Sequence, residues 1–303
     1  MRLAGATVAV TGATGFLGRY VVRGLAARGA AVVGVVRNPD RVPELASTCL
    51  ALRRADLRDV DALRRGFAGA GAVVSNAALL PVRNWRTADH ERTNVQGTEN
   101  VLRAAAAAGV RRIVHVSTVS VYRGGGGGAK NEDHPFVTER GWLGHAYGVS
   151  KARAEVRAWA LAAELGLALT TLRPCLIYGA FDTNFMPFLR ALLALPVTAL
   201  PAGLRLAMVY AGDVAEAVAL ALERDAAIGR AYNVADDPGT FWQFCDAWRA
   251  AGGRVPRVVL PLPVPFARRF DASRAAAELG WRPRPTVDAL RETFALEAAA
   301  GRR

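Results

Sequence analysis

Lysine is almost missing from this chain of 303 residues; it occurs only at positions 130 and 151. The formal charge of +13 is therefore carried almost wholly by arginine. Those arginines are scattered among Ala, Gly and Val instead of forming a basic run, so no nucleic-acid partner is expected. A phosphate-bearing small molecule suits the charge better. Cysteine is equally scarce. Cys49, Cys175 and Cys245 are far apart, and no CxxC pair or Cys/His cluster accompanies them. That excludes a disulfide framework and a zinc site, predicts no bound metal, and fits a reducing, cytoplasmic setting. A long apolar run is also lacking. Residues 185–204 come nearest, but Pro187, Arg190, Pro196 and Pro201 break them, so no membrane span is expected, although the segment could lie on a surface. The start has no charged n-region leading into an apolar h-region, and is not read as a signal peptide.

What the chain has in quantity is aliphatic side chain. Hydrophobic residues make up 52%, enough for a full core. Short Val/Ile/Leu runs at 6–10, 31–36, within 48–57, and at 72–78, 111–118 and 167–174 read as strands. Helical stretches at 16–28, 59–67, 88–108 and 146–165 alternate with them. Continuous apolar strands separated by helices imply a parallel sheet covered on both faces. After Pro174 the alternation loosens. We expect an α/β fold of the doubly wound Rossmann kind over 1–175. A smaller substrate-binding lid is expected over 176–303, with a helix at 212–225 returning to the sheet. The five glycines at 124–128 read as a flexible tip.

The segment "VAVTGATGFLGRYVV" sets Gly12, Gly15 and Gly18 between the first strand and first helix, with Thr14, Phe16 and Leu17 among them. Glycines there allow a tight turn and let backbone N–H groups and the helix N-terminus face a pyrophosphate. The second strand ends at Arg37, where NAD-binding folds place an acid for the ribose 2′-hydroxyl. A guanidinium instead can bond a 2′-phosphate, so NADP(H) is expected over NAD(H), with NAD(H) possible if Arg37 only stacks on adenine. Asp56 and Leu57 follow the third strand, where an acid can meet the adenine amino group. Asn76, Ala77 and Ala78 end the fourth, where small side chains leave room for the adenosine half.

In "AYGVSKARAE" Tyr147 stands four residues before Lys151. By itself such a pair is an ordinary helix face. Behind a phosphate loop it suits proton handling. A free phenol titrates near ~10, and an ammonium about 4 Å away at an effective dielectric of about 20 contributes roughly 4 kcal/mol, enough to lower it substantially.

"TGATGFLG", "ADL", "SNAA", "NVQGT", "HVSTVSVY", "YGVSK" and "LRPCLIYG" appear in that order, followed by "VYAGDVAEAV", "AYNVAD" and "SRAAAELGWRP". Over nearly its whole length the chain resembles the extended short-chain dehydrogenase/reductases, the group with NAD-dependent epimerases and dehydratases. That resemblance implies Tyr147 as general acid/base, Lys151 as its tuning cation and a ligand of the nicotinamide ribose, and Thr118 as the hydroxyl holding the substrate oxygen, with Ser117 beside it. It implies Asn94 as a cofactor-binding or bracing residue, and Pro174 to Ile177 beside the nicotinamide amide.

Three departures narrow the activity. Dehydratases of the group carry an acid after the hydroxyl residue, whereas Val119 and Ser120 follow Thr118 here. Nucleotide-sugar epimerases place an arginine seven residues before the position of Asp213; here that residue is Leu206, with Arg205 one place off. Arg123 replaces the usual glycine after "VY". An NADP(H)-dependent reductase or dehydrogenase acting on a small-molecule carbonyl or secondary alcohol is therefore expected. A nucleotide-sugar epimerase with bound NAD and an NADP(H)-binding sensor are the alternatives. Trp85, His145, Asn184, Phe185 and Met208 are the candidate substrate walls. Helices 88–108 and 146–165 could form a homodimer contact, as in relatives.

Overall fold

The computed structural model describes residues 1–41, 45, 47–81, 86–124, 128–138, 146–201, 204–237, 239–262 and 267–301. Trp85, His145 and most of the five-glycine loop lie outside them. Seven parallel strands form the central sheet: β1 (Thr7–Thr11), β2 (Ala31–Val36), β3 (Ala51–Arg54), β4 (Ala72–Ser75), β5 (Arg112–Val116), β6 (Ala168–Pro174) and β11 (Ala231–Val234). Their order is β11-β6-β5-β4-β1-β2-β3. The order reverses between β1 and β4, and ligands of such sheets sit outside the strands' carboxyl ends at that switch. β4 and β5 are buried along their whole length, as continuous Val and Ile runs with helices on both faces require.

The helices are α1 (Phe16–Ala27), α2 (Val60–Phe67), α3 (Thr87–His90), α4 (Gly97–Ala107), α5 (Ala146–Leu165), α6 (Phe185–Ala194), α7 (Ala211–Glu223), α8 (Phe241–Ala250) and α9 (Thr286–Ala299). Small residues let α1 and α7 pack closely: a Cβ on Gly24 would lie 3.4 Å from that of Ala215. The single helix expected over 88–108 is instead α3, a π turn at Glu91–Gln96, and α4. In that wider turn the Thr98 hydroxyl donates to the Asn94 carbonyl at 2.6 Å, and the Asn94 side chain turns toward the sheet edge. The sheet also recruits more of the second half than its looser pattern suggests. β11 pairs with β6 from Ala231↔Thr171 to Val234↔Pro174.

Three two-stranded ribbons stand over the carboxyl edge. β7 (Leu176–Tyr178) pairs with β10 (Met208–Tyr210), β8 (Val197–Pro201) with β12 (Val258–Leu262), and β9 (Arg205–Leu206) with β13 (Ala267–Arg268). The prolines of 255–265 do not preclude strand pairing in β12, since only two strands meet there.

Candidate active site

β4 and β5 stop short of the runs 72–78 and 111–118, and the residues beyond them, with the turn after β1, line a cavity of about 1310 Å³. This is ample for a dinucleotide together with a second small molecule. Thr11 holds the opening on one side: its hydroxyl accepts from the Asn76 and Ala77 amides at 3.0 and 3.2 Å. Gly12 adopts φ +67, and Gly15 caps α1. Gly12, Thr14, Gly15, Phe16 and Leu17 line the cavity. Gly18 is buried beneath the turn, where any Cβ would collide with the Gly12 carbonyl. The glycine cradle therefore fits a pyrophosphate laid over a helix N-terminus.

At the far end Arg37, Asp56 and Leu57 line the wall with Arg58, which the sequence reading missed. Arg58 donates to Asp56 at 2.9 Å, and its guanidinium, helped by its own amide and by Arg37, holds the Asp56 carboxyl below the usual range against the opposing effect of burial. Two arginines thus flank that end of the cavity. Asn76, Ala77 and Ala78 line its middle. Asn94 departs from the expectation of a cofactor ligand. It is buried off the cavity, with its amide committed to Leu79 N (2.8 Å), Leu79 O (3.2 Å) and Ser150 Oγ (3.0 Å), so it braces the wall.

Thr118, Tyr147 and Lys151 meet at the other end, joined by Ser117, Pro174 and Ile177. The approach depends on Gly148, because a Cβ there would lie 2.6 Å from the Ser120 carbonyl oxygen. With no side chain at that point, the start of α5 rests on the turn Val119–Val121. The Tyr147 phenol can then hydrogen-bond Thr118. Ser117 is already engaged, its hydroxyl donating to Glu155 at 2.6 Å. Lys151 is 2% exposed and donates to the Val116 carbonyl at 2.8 Å.

The expected lowering of the phenol is not seen. Burial pushes Tyr147 up to about 12, and the Thr118 hydrogen bond only partly opposes this. Lys151 spends its ammonium on Val116 and is itself brought down to about 8 by burial, against the pull of Glu155. His115, beneath them in β5, is held neutral by burial and by Lys151. A phenol protonated throughout the neutral range, next to a hydroxyl, can donate a proton to an oxygen placed between them.

The outer wall comes from the lid. Asn184 and Phe185 line it as expected, and Leu176, Phe188, Leu206 and Phe270 join them. Met208 does not; it is 1% exposed and belongs to the core. Asp182 fixes this wall by accepting from the amides of Asn184, Phe185 and Met186 at 2.8–2.9 Å. Phe181, at φ +70, lies beneath the guanidiniums of Arg19 and Arg23. Phe188 and Phe270, which the sequence reading missed, belong to none of the motifs it quoted. Among the described residues no cluster could hold a metal ion, and no helix is long and apolar enough to cross a membrane.

Residues 8–235 match the NAD dependent epimerase/dehydratase family. A 4-hydroxy-2-methyl-3-oxo-4-farnesyl-3,4-dihydroquinoline-1-oxide ketoreductase of Stigmatella aurantiaca is 32% identical over 93% of this chain and 84% of its own. A 2-alkyl-3-oxoalkanoate reductase of Stenotrophomonas maltophilia is 36% identical over 59% of this chain, which spans about half (53%) of that protein's length. A UDP-glucose-4-epimerase structure from Stenotrophomonas maltophila, with bound NAD and formylated UDP-arabinopyranose, superposes with a TM-score of 0.82. It is 26% identical, covering 98% of this chain and 99% of the other.

Proposed function

Because the chain belongs to the NAD dependent epimerase/dehydratase family and is thus an NAD(P)-dependent enzyme, we propose that it reduces a ketone at the expense of NADPH, with Tyr147 as the proton donor. One observation carries this reading: the half-buried Tyr147 phenol, held protonated, lines the same cavity as the glycine cradle and lies beside Thr118. Of the proteins above that match over most of both chains, the Stigmatella aurantiaca one is named a ketoreductase and the Stenotrophomonas maltophila one an epimerase. Leu206, where epimerases carry an arginine, favours the former.

The nicotinamide dinucleotide supplies the hydride when bound. Gly12 and Gly15 with the start of α1 would hold its pyrophosphate, Arg37 and Arg58 a ribose 2′-phosphate, and Lys151 the nicotinamide ribose. Thr118 would position the substrate carbonyl by donating a hydrogen bond to its oxygen. As the carbonyl carbon accepts hydride, that oxygen becomes basic and takes the Tyr147 proton. The Lys151 ammonium stabilises the phenolate left behind until solvent reprotonates it. A phenol raised to about 12 is protonated at neutral pH, the form from which a ketone oxygen can take a proton.

The test is NADPH consumption across a ketone panel by wild type and Tyr147→Phe. The variant is expected to lose at least about 100-fold in kcat, the usual contribution of a positioned acid, while its NADPH Kd stays within about twofold. Residual activity within tenfold of wild type refutes the role of Tyr147.

A further inference from the structure

We propose that the substrate carries an elongated apolar tail, which leaves the cavity past Leu176 and Phe188 and lies along an exposed apolar stripe on the lid. The proposal rests on the reductase reading above. Its starting point is that two residues belong to both places. Leu176 and Phe188 line the cavity containing Tyr147, yet they are 39% and 63% exposed. Isolated exposed apolar side chains need no explanation, but a contiguous set leading into a reaction cavity marks a binding groove.

The set is contiguous. Leu195 lies two turns beyond Phe188 along α6, about 10 Å away by helical rise, and is 47% exposed. Two residues later Val197 opens β8, and the parallel register places it beside Val258 of β12. They are 52% and 50% exposed, and Leu260 and Leu262 continue the same alternate face at 55% and 43%. Strand rise carries this face about 13 Å from Val258 to Leu262. The beginning of the path is firm, because Asp182 pins the first turn of α6.

The chemistry of the wall selects an apolar occupant. Leu206 faces the cavity, while its neighbour Arg205 is drawn off to Asp237 at 3.0 Å. Phe185 and Phe270 complete the lining near the mouth. A nucleoside diphosphate would find Arg268, paired with Leu206, for its charge but aliphatic and aromatic surface around it. A hydrocarbon tail would cover that surface and remove it from water, contributing up to about fourfold in affinity per fully buried methylene. A tail in an open groove gains less.

The proposal is tested with a series of 2-alkanones of increasing length, kept below aggregation, with wild type, Phe188→Ser and Leu260→Ser. Both substitutions are on exposed positions and should fold. In wild type, kcat/KM is expected to rise about two- to fourfold per methylene. Phe188→Ser should flatten the rise from the medium members onward, and Leu260→Ser only for the longest, while NADPH Kd stays unchanged in both. Turnover without length dependence overturns the substrate class and leaves the reductase reading standing. A rise that both variants retain overturns the path along the stripe. Greater thermal stabilisation by UDP-glucose than by the longest ketone overturns the apolar class. Failure of every ketone to consume NADPH overturns the reductase reading and this proposal with it.

Discussion

Glu155 lies one helical turn beyond Lys151 and meets Arg173 at 2.6 Å, both side chains being almost out of water at 0% and 5% exposure. The same carboxylate accepts from Ser117, and its negative charge opposes the burial that strips Lys151 of its proton. Glu155→Gln should therefore do two things. It should leave Arg173 buried without its counter-charge, lowering stability by about 3–5 kcal/mol, seen as a drop in denaturation midpoint. It should also lower the Lys151 pKa, moving the alkaline limb of the kcat/KM profile to lower pH. A purely structural Glu155 would give the first effect without the second.

The pH profile of the wild type follows from the same lysine. Burial brings Lys151 down to about 8, so it is charged below that pH and neutral above it. A plateau in kcat/KM up to about pH 8 is expected, then a fall approaching tenfold per pH unit. Tyr147, at about 12, stays protonated across this window and does not set the limb. Lys151→Arg keeps the charge and should remove the limb near pH 8 even if its absolute rate is lower. The contribution of Lys151 to stability runs the opposite way. The folded pKa lies below the unfolded value of 10.5, so the unfolded chain binds the extra proton between about 8 and 10.5. Over that window Lys151 contributes a rise in stability with pH, which the buried Cys49, Cys175 and Cys245 thiols, held protonated by burial, oppose from about pH 9 upward.

Gly148→Ala is the smallest change expected to separate the acid from its partner. The added methyl would sit 2.6 Å from the Ser120 carbonyl and must push α5 off the turn that follows Thr118. Shifts near 1 Å in catalytic geometry cost about 100-fold. The expected result is a fall in kcat of about 10- to 100-fold with NADPH affinity little changed, measured by steady-state kinetics alongside cofactor titration.

Arg37→Glu addresses the cofactor. A charge-assisted contact to a 2′-phosphate is worth about 1.5–3 kcal/mol, so KM for NADPH should rise about 10- to 100-fold. KM for NADH should move far less. Equal effects on both, or a wild-type preference for NADH, would refute the NADPH assignment.

The parts of the molecule governed by local pattern were legible in the sequence. Val and Ile runs gave the six strands through Pro174, spacing singled out the glycine turn and the Tyr147–Lys151 pair, and resemblance of the ordered motifs to a family added Thr118. What escaped depends on distances that spacing does not encode. Lys151 and Glu155 share a helix face by period, but Arg173 reaches that face only because β6 runs beneath α5. The direction of the Tyr147 pKa turned on how deeply the phenol is buried and on the Val116 carbonyl that engages Lys151. Asn94 resembled a ligand until the π turn directed it to the Leu79 backbone. Met208, a candidate wall residue in the sequence, pairs with Leu176 at the start of β10 and is buried in the core.

The place of β11 decides how this enzyme can be re-engineered. A chain cut after Cys175 would lose the strand that covers β6, leaving the backbone of 171–174 as an open edge ready to recruit another molecule's strand. It would also strip α7 from α1. The outer wall of the cavity is thus not a tail to be exchanged wholesale. It is a set of excursions at 176–207 and 236–270, each leaving and rejoining a scaffold that needs both halves of the chain. Grafts that preserve β11 and α7 should stay soluble, and tail swaps should aggregate.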